Sequence, residues 1–131
     1  MDWLTDFLGT LAEPEAHVGA YAWITAFLGH AALNVVLTPV WGWIFAQANI
    51  ITRPYWFACQ LLTVVYFFAW EGAVQLYGGG LADATVDTAA WFLGGLLSLA
   101  LIWASPRLFA GASLALAFVG LAGIAARMRR K

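Results

Sequence analysis

Four long apolar stretches, separated by short polar breaks, constrain the fold of this chain most strongly. Between residues 16 and 126 the charged side chains are only Arg53, Glu71, Asp83, Asp87 and Arg107. The whole chain is 63% hydrophobic and 10% charged, whereas a soluble domain carries about 25% charged residues. Water would be a poor solvent for such a surface. We therefore predict an all-α integral membrane protein.

The apolar stretches predict a bundle of four transmembrane helices. A helix needs about 20 apolar residues to span a bilayer, and the candidate spans cover residues 18–45, 54–77, 85–104 and 108–126. Pro39 interrupts the first candidate. That span either tilts or kinks at the proline, or ends there and leaves Trp41 and Trp43 at the membrane interface. The sequence leaves both alternatives open.

Two short breaks determine which spans are neighbours. Glycines 78 to 80 end the second span, and Asp83 is a possible N-cap of the third. Residues 105–107 separate the third span from the fourth. Breaks this short make spans two, three and four antiparallel neighbours, and small residues such as Gly94 and Gly95 allow helices to approach closely in lipid.

The N-terminal segment differs from the rest of the chain. In "DWLTDFLGTL", residues 2–11, apolar side chains recur at spacings of three and four, as on one face of a helix. Glu13-Pro14-Glu15 ends this pattern, and the segment is too short to span a membrane. We therefore predict a short amphipathic interfacial helix in residues 1–17 and a transmembrane bundle in residues 18–131. No cleavable signal peptide is expected, because the first residues are acidic.

The distribution of basic residues predicts an orientation. Four spans place both termini on one side of the membrane, together with the loop at residues 78–84. The tail after residue 126 carries four basic residues, whereas Arg53 and Arg107 lie on the other side. Basic residues are enriched on the cytoplasmic side. We expect a protein of the bacterial inner membrane with a cytoplasmic C-terminus.

Polar side chains within the spans occur in pairs four residues apart, and residues at this spacing share one helix face. The pairs are His30 with Asn34, Glu71 with Gln75, and Asp83 with Asp87. If spans two and three are antiparallel about the loop at 78–84, Glu71 and Asp87 reach a similar depth. We predict that all six side chains converge on a polar pocket near this loop.

Carboxylates in such a pocket need a partner that offsets the cost of burying their negative charge. An ionisable group near the bilayer centre costs at least ~2.5 kcal/mol, and neighbouring acids repel one another. Because Arg53 and Arg107 flank the other side, the sequence favours a proton, a metal ion, His30 or a positively charged partner over an internal salt bridge. Carboxylate and histidine side chains can bind a divalent ion, so a metal is left open and no cofactor is assigned.

Structural roles are also open for these residues. The aspartates would be favourable at a helix N-terminus simply because of their charge. Glu71 could lie at the interface beside Trp70, and His30 could form hydrogen bonds between helices. Cys59 is the only cysteine, which excludes an internal disulfide, and we interpret it as a small apolar side chain.

A short motif carries a resemblance to a known family. Glu71, Gln75, Asp83-x-x-x-Asp87 and Gly94-Gly95 together resemble the pattern of small VanZ-like membrane proteins. The motif is also similar to short multi-spanning proteins of phages and prophages. The resemblance covers about residues 66–97, and "GGGLA" stands where the VanZ pattern tends to have an arginine. It implies a membrane protein without an established reaction.

Three functions are compatible with the sequence. The first is assembly in the bilayer, as in a membrane-permeabilising phage holin. The second is an intramembrane site for ion or proton movement or for chemistry on a lipid-linked substrate, in which Glu71 accepts a proton and the aspartates hold a cation. The third is an accessory subunit of a larger membrane complex. We rank the holin-like hypothesis first, assign no catalytic residue and do not expect an enzyme.

The expected partners follow from the same features. They are the lipid bilayer and either further copies of this chain or another membrane protein. Nucleic acid is not expected, since no basic stripe with interleaved aromatic residues is present.

Overall fold

The computed structural model describes residues 19–78 and 80–129, which form helices and turns and contain no strand. The helices are α1 (Ala20–Ala48), α2 (Pro54–Val65), α3 (Leu81–Ile102) and α4 (Pro106–Met128), and a π-helical segment (Tyr66–Val74) continues α2. With α2 and this π segment counted as one span, four helices are long and apolar enough to cross a membrane. The predicted all-α architecture, with four helices long and apolar enough to cross a membrane, is confirmed. The predicted interfacial helix of residues 1–17 lies outside the described residues.

Helix α1 continues through Pro39, so the span does not end at the proline. Proline lacks a backbone N–H and costs a helix one hydrogen bond. Packing of α1 against α2, α3 and α4 offsets this loss. The helix ends at Ala48, where Asn49 adopts a left-handed conformation with φ of 52° and its amide bonds to the carbonyl of Ala46. Asparagine tolerates this conformation.

The start of α3 corrects one prediction, because Asp83 is not the N-cap. The helix begins at Leu81, after Gly80, whose φ of 90° is accessible to glycine without steric cost. Gly80, with its positive φ, directs the chain into the helix, which therefore begins two residues before Asp83. Asp83 therefore lies in the first helical turn, where negative charge is still favourable.

Helix α4 begins at a well-defined cap. The hydroxyl of Ser105 accepts a hydrogen bond from the amide of Leu108 at 3.3 Å. Pro106 occupies the first turn, where its missing N–H costs nothing. The helix therefore starts two residues before the predicted boundary, and it extends to Met128.

The four spans alternate in direction, and α3 packs against the three other spans. The start of α1, the turn at residues 75–78 and the end of α4 lie together at one end of the bundle, which we call the acidic end. The loops at residues 49–53 and 103–105 lie at the other end, which we call the basic end. Glu71, Asp83 and Asp87 lie towards the acidic end, and Arg53 and Arg107 lie at the basic end.

A close backbone contact joins α1 to α3. A Cβ atom added to Gly94 would overlap the backbone carbonyl of Ala31, and one added to Gly95 would lie 2.8 Å from Nδ2 of Asn34 on α1. Only glycine allows the two backbones to approach this closely. This contact sets the distance between the facing side chains of α1 and α3.

Aromatic rings fill the bundle near the acidic end. Trp23 and Phe27 stack with their ring centroids 5.1 Å apart and form a buried cluster with Ala90 of α3. Gly120 and Gly123 of α4 lie directly against these rings. The small residues of α4 therefore allow it to pack on the aromatic cluster.

The outer faces of the helices are apolar. Leu33, Leu114 and Phe118 are 56%, 71% and 74% exposed. A surface of this kind is stable when lipid rather than water surrounds it. The exposed side chains and the four apolar helices together support a multi-pass membrane protein.

The glycine contact generates a testable prediction for stability. Gly94→Ala should destabilise the protein by about 1–3 kcal/mol, because the new methyl group meets a backbone carbonyl that cannot rotate away. Gly111→Ala in α4 is the matched control, since a Cβ atom there meets open space. Thermal unfolding in detergent measures both variants. Equal stability of the two variants would contradict the close contact.

Candidate intramembrane polar site

All three carboxylates that the structure describes lie towards the acidic end of the bundle. Glu71 lies in the π segment, Asp83 and Asp87 lie in the first two turns of α3, and His30 lies about three turns into α1. Glu71 interacts electrostatically with the three other side chains. The structure therefore brings together four of the six residues of the predicted polar pocket.

Glu71 is held by a short hydrogen bond from Tyr66. The Tyr66 hydroxyl donates to Oε1 of Glu71 at 2.6 Å, and both residues are only 5% exposed. In an α-helix the third and fourth neighbours share a face. In the π segment, the amide of Gln75 bonds to the carbonyl of Trp70, five residues back, at 2.8 Å. This wider turn brings fifth neighbours such as Tyr66 and Glu71 together.

The end of the π segment folds back on itself. Tyr77 has a left-handed φ of 52°, and its amide bonds to the carbonyl of Glu71 at 2.8 Å. A Cβ atom on Gly72 would lie 2.8 Å from the Tyr77 hydroxyl, so glycine leaves room for this ring. Gln75, a fifth predicted pocket residue, directly follows the π segment and is buried. The fold-back fixes the position of the Glu71 backbone.

His30 and Asp87 connect α1 to α3. Nδ1 of His30 lies 3.6 Å from Oδ1 of Asp87, which is an ion-pair distance when the imidazole is protonated. The side chains are 14% and 12% exposed. Both helices therefore contribute to one partly enclosed group of titratable side chains.

Tyr66 contacts both the His30 imidazole and the Trp91 indole. Its ring stacks on Trp91 with a centroid distance of 4.4 Å, and it lies 5.5 Å from the His30 ring. Nε1 of Trp91 is buried and has no hydrogen-bond partner among the residues that the structure describes. The phenol thus bonds to Glu71 and also lies next to the imidazole that faces Asp87.

Asp83 forms an ion pair that corrects a prediction. Nη2 of Arg127 lies 3.7 Å from Oδ1 of Asp83, whereas the sequence disfavoured an internal salt bridge. The guanidinium also lies 4.3 Å from the ring centroid of Trp23, a cation–π distance. Arg127 reaches Asp83 because the end of α4 lies at the acidic end. Arg127 of the basic tail therefore neutralises one of the acids.

Asn34 takes a structural position deeper in the bundle. Its Nδ2 donates to the carbonyl of Trp91 at 2.9 Å, and its Oδ1 accepts from the Thr38 hydroxyl at 3.0 Å. Ser98 donates to the carbonyl of Val35 nearby. These bonds connect α1 to α3, so this part of the first span has the structural role of hydrogen bonding between helices. Asn34 therefore does not join the acids.

The arrangement of donors does not favour a metal centre. Across the described ranges, 19–78 and 80–129, no group of three or more histidine, cysteine and carboxylate side chains could hold a metal ion. His30, Asp87 and Glu71 are instead arranged with Tyr66 as a set of neighbouring groups that can each bind and release a proton.

Tyr66 and Arg127 are two residues of this site that the sequence reasoning missed. The spacing of five between Tyr66 and Glu71 indicates no contact unless a π-helical turn is anticipated. Arg127 could have been found, because the four-span topology already places the tail beside the loop at 78–84. This placement makes the tail a candidate partner for Asp83.

Comparison of the chain with protein-family models, curated proteins and solved structures gave no match. The resemblance to VanZ-like and phage-type proteins therefore stays a prediction, carried by its short motif.

The Tyr66–Glu71 hydrogen bond generates a second prediction. Tyr66→Phe should lower the free energy of unfolding by about 1–3 kcal/mol, because Glu71 stays buried and loses its donor. Tyr21→Phe is the matched control, since Tyr21 is 84% exposed and should tolerate the change. Denaturation in detergent measures both variants, and an equal effect of the two would contradict the buried hydrogen bond.

Proposed function

We propose that this protein moves protons through the acidic end of its membrane bundle, with Glu71 as the buried proton acceptor. The observation that carries the proposal is the 2.6 Å hydrogen bond from Tyr66 to Glu71 within a candidate membrane span. Ionisable side chains inside spans are rare, and they commonly mark ion pathways and proton relays.

Neighbouring groups supply a route to Glu71. Asp87, His30 and Tyr66 are side chains that can each accept or donate a proton. The Asp87–His30 distance is 3.6 Å, and the His30 and Tyr66 rings are 5.5 Å apart. A small side-chain rotation or one bridging water completes the step between these rings. The route then reaches Glu71 through the existing hydrogen bond. Net movement across the membrane requires that Glu71 then release its proton towards the basic end.

Exposure of the side chains gives this route a direction. The Asp83 and Arg127 side chains are 26% and 21% exposed, whereas the Asp87 and His30 side chains are 12% and 14% exposed. Glu71 is the most enclosed of the three acids. Protons would therefore enter past the Asp83–Arg127 pair at the acidic end and move inwards to Glu71.

Proton flux into proteoliposomes tests the proposal. A trapped pH-sensitive dye and an imposed membrane potential should reveal flux through the native protein. Glu71→Gln should abolish it, because glutamine keeps the shape of the side chain and cannot take up a proton. Thr85→Val is the control, since Thr85 is exposed on α3 and its hydroxyl bonds to the carbonyl of Leu81 in the same helix.

Asp87→Asn should reduce the flux through the same route. Both acid-to-amide variants must insert into the membrane as the native protein does, which sizing in detergent establishes. Native flux in Glu71→Gln and Asp87→Asn would overturn the proposal, because no proton could then be passing through these carboxylates.

Assembly in the bilayer, as in a holin, is a second candidate. Helix α4 is the least buried of the four spans, and its outer face presents Phe118 and the uncrowded Gly111. Such a face could pack against further copies of the chain. Induced expression in bacteria together with an endolysin should then give dye uptake and lysis, and the absence of both would contradict this candidate.

The remaining predictions stay open as proposals. They are chemistry on a lipid-linked substrate, membership of a larger membrane complex, and an inner-membrane location with the C-terminus in the cytoplasm. The four apolar helices support the membrane location in general.

A further inference from the structure

A groove at the basic end lies far from the carboxylates. It has a volume of about 570 Å³ and is lined by Thr52, Arg53, Pro54, Tyr55, Trp56 and Trp103. Pockets that hold small molecules commonly measure about 300–1,000 Å³. The groove is therefore large enough for a polar headgroup.

The charge of the groove is positive. Arg53 is exposed, and none of the residues that line the groove is acidic. The carboxylates of the described part of the chain lie in the π segment and the first turns of α3, towards the opposite end. An anion bound beside Arg53 would therefore meet no competing carboxylate from these elements.

Two tryptophans place the groove at the boundary of the membrane. Trp56 and Trp103 have ring centroids 6.5 Å apart and are 37% and 50% exposed. Tryptophan is enriched at the level of lipid headgroups. Trp56 lies in the first turn of α2 and Trp103 caps the end of α3, so both rings stand where the spans leave the apolar layer.

The start of α2 adds hydrogen-bond donors to the same groove. Tyr55 and Trp56 belong to the first helical turn, where amides have no acceptor inside the helix. A helix N-terminus also favours negative charge. The guanidinium, the Thr52 hydroxyl and these amides are a donor set suited to a phosphate group.

We propose that this groove binds the phosphate-bearing headgroup of an anionic phospholipid. Arg53 pairs with the phosphate, and Trp56 and Trp103 flank the glycerol and the upper acyl chains. The location at the end of the spans favours a lipid over a soluble phosphate, since tryptophan side chains at this level stand among lipid headgroups.

Native mass spectrometry of the full chain tests this proposal. The protein is released from nanodiscs that contain phosphatidylcholine and phosphatidylglycerol, and the lipids that stay bound are counted. The native protein should retain phosphatidylglycerol preferentially. Arg53→Gln should weaken this preference roughly five- to tenfold, as expected for the loss of one arginine near a lipid phosphate.

Arg107→Gln is the matched control, because Arg107 is an exposed arginine at the same end of the bundle and does not line the groove. It should keep the native preference. An equal loss in both variants would overturn the proposal, since it would show a general attraction of the basic end for anionic lipid. An unchanged preference in Arg53→Gln would overturn it directly.

A second arm distinguishes a lipid from a free phosphate. Trp103→Leu should also weaken retention of phosphatidylglycerol, whereas Trp43→Leu should not, because Trp43 is 59% exposed and lies outside the groove. Inorganic phosphate added to the protein in detergent should leave thermal stability unchanged. Stabilisation by phosphate alone, lost in Arg53→Gln, would identify an anion site and overturn the assignment to a lipid.

Discussion

The close contact between α1 and α3 is the constraint on which the rest of this structure depends. Gly94 has no side chain, so the backbone of α3 lies directly against Ala31 of α1. One residue before Ala31, His30 then reaches Asp87, which lies two turns before Gly94. A larger residue at 94 would separate the helices, and the imidazole would lose its carboxylate. Helix packing and the geometry of the polar site are therefore determined by the same glycine.

The two ends of the bundle have different physical characters. At the acidic end, an enclosed glutamate, a phenol, an imidazole and an aspartate lie next to one another, and Arg127 neutralises the outermost acid, Asp83. At the basic end, Arg53 and exposed tryptophans line one groove, and none of the residues that line it is acidic. Titratable groups held inside the bundle suit proton movement, whereas a cation at the headgroup level suits contact with lipid. One small bundle thus supports two separate proposals.

Apolar length and short breaks were sufficient to predict four helices and their alternation, because lipid leaves few other options for such a chain. The spacing of four also placed His30, Glu71 and Asp87 on inward faces. The Tyr66–Glu71 hydrogen bond could not be predicted, because it depends on a π-helical turn and the residue pattern does not indicate one. The start of α3 was missed because Gly80, and not Asp83, turns the chain into the helix. Local backbone geometry, rather than hydropathy, decided these details.

Chemical cross-linking tests the central claim, that the acids point into the bundle and meet α1. In a Cys59→Ala background, His30→Cys and Asp87→Cys should be joined by a short thiol-reactive cross-linker in native membranes, because the replaced side chains approach within 3.6 Å. The pair Leu33→Cys and Asp87→Cys should not react, since Leu33 is 56% exposed on the outer face. Cross-linking of the second pair and not the first would contradict the account.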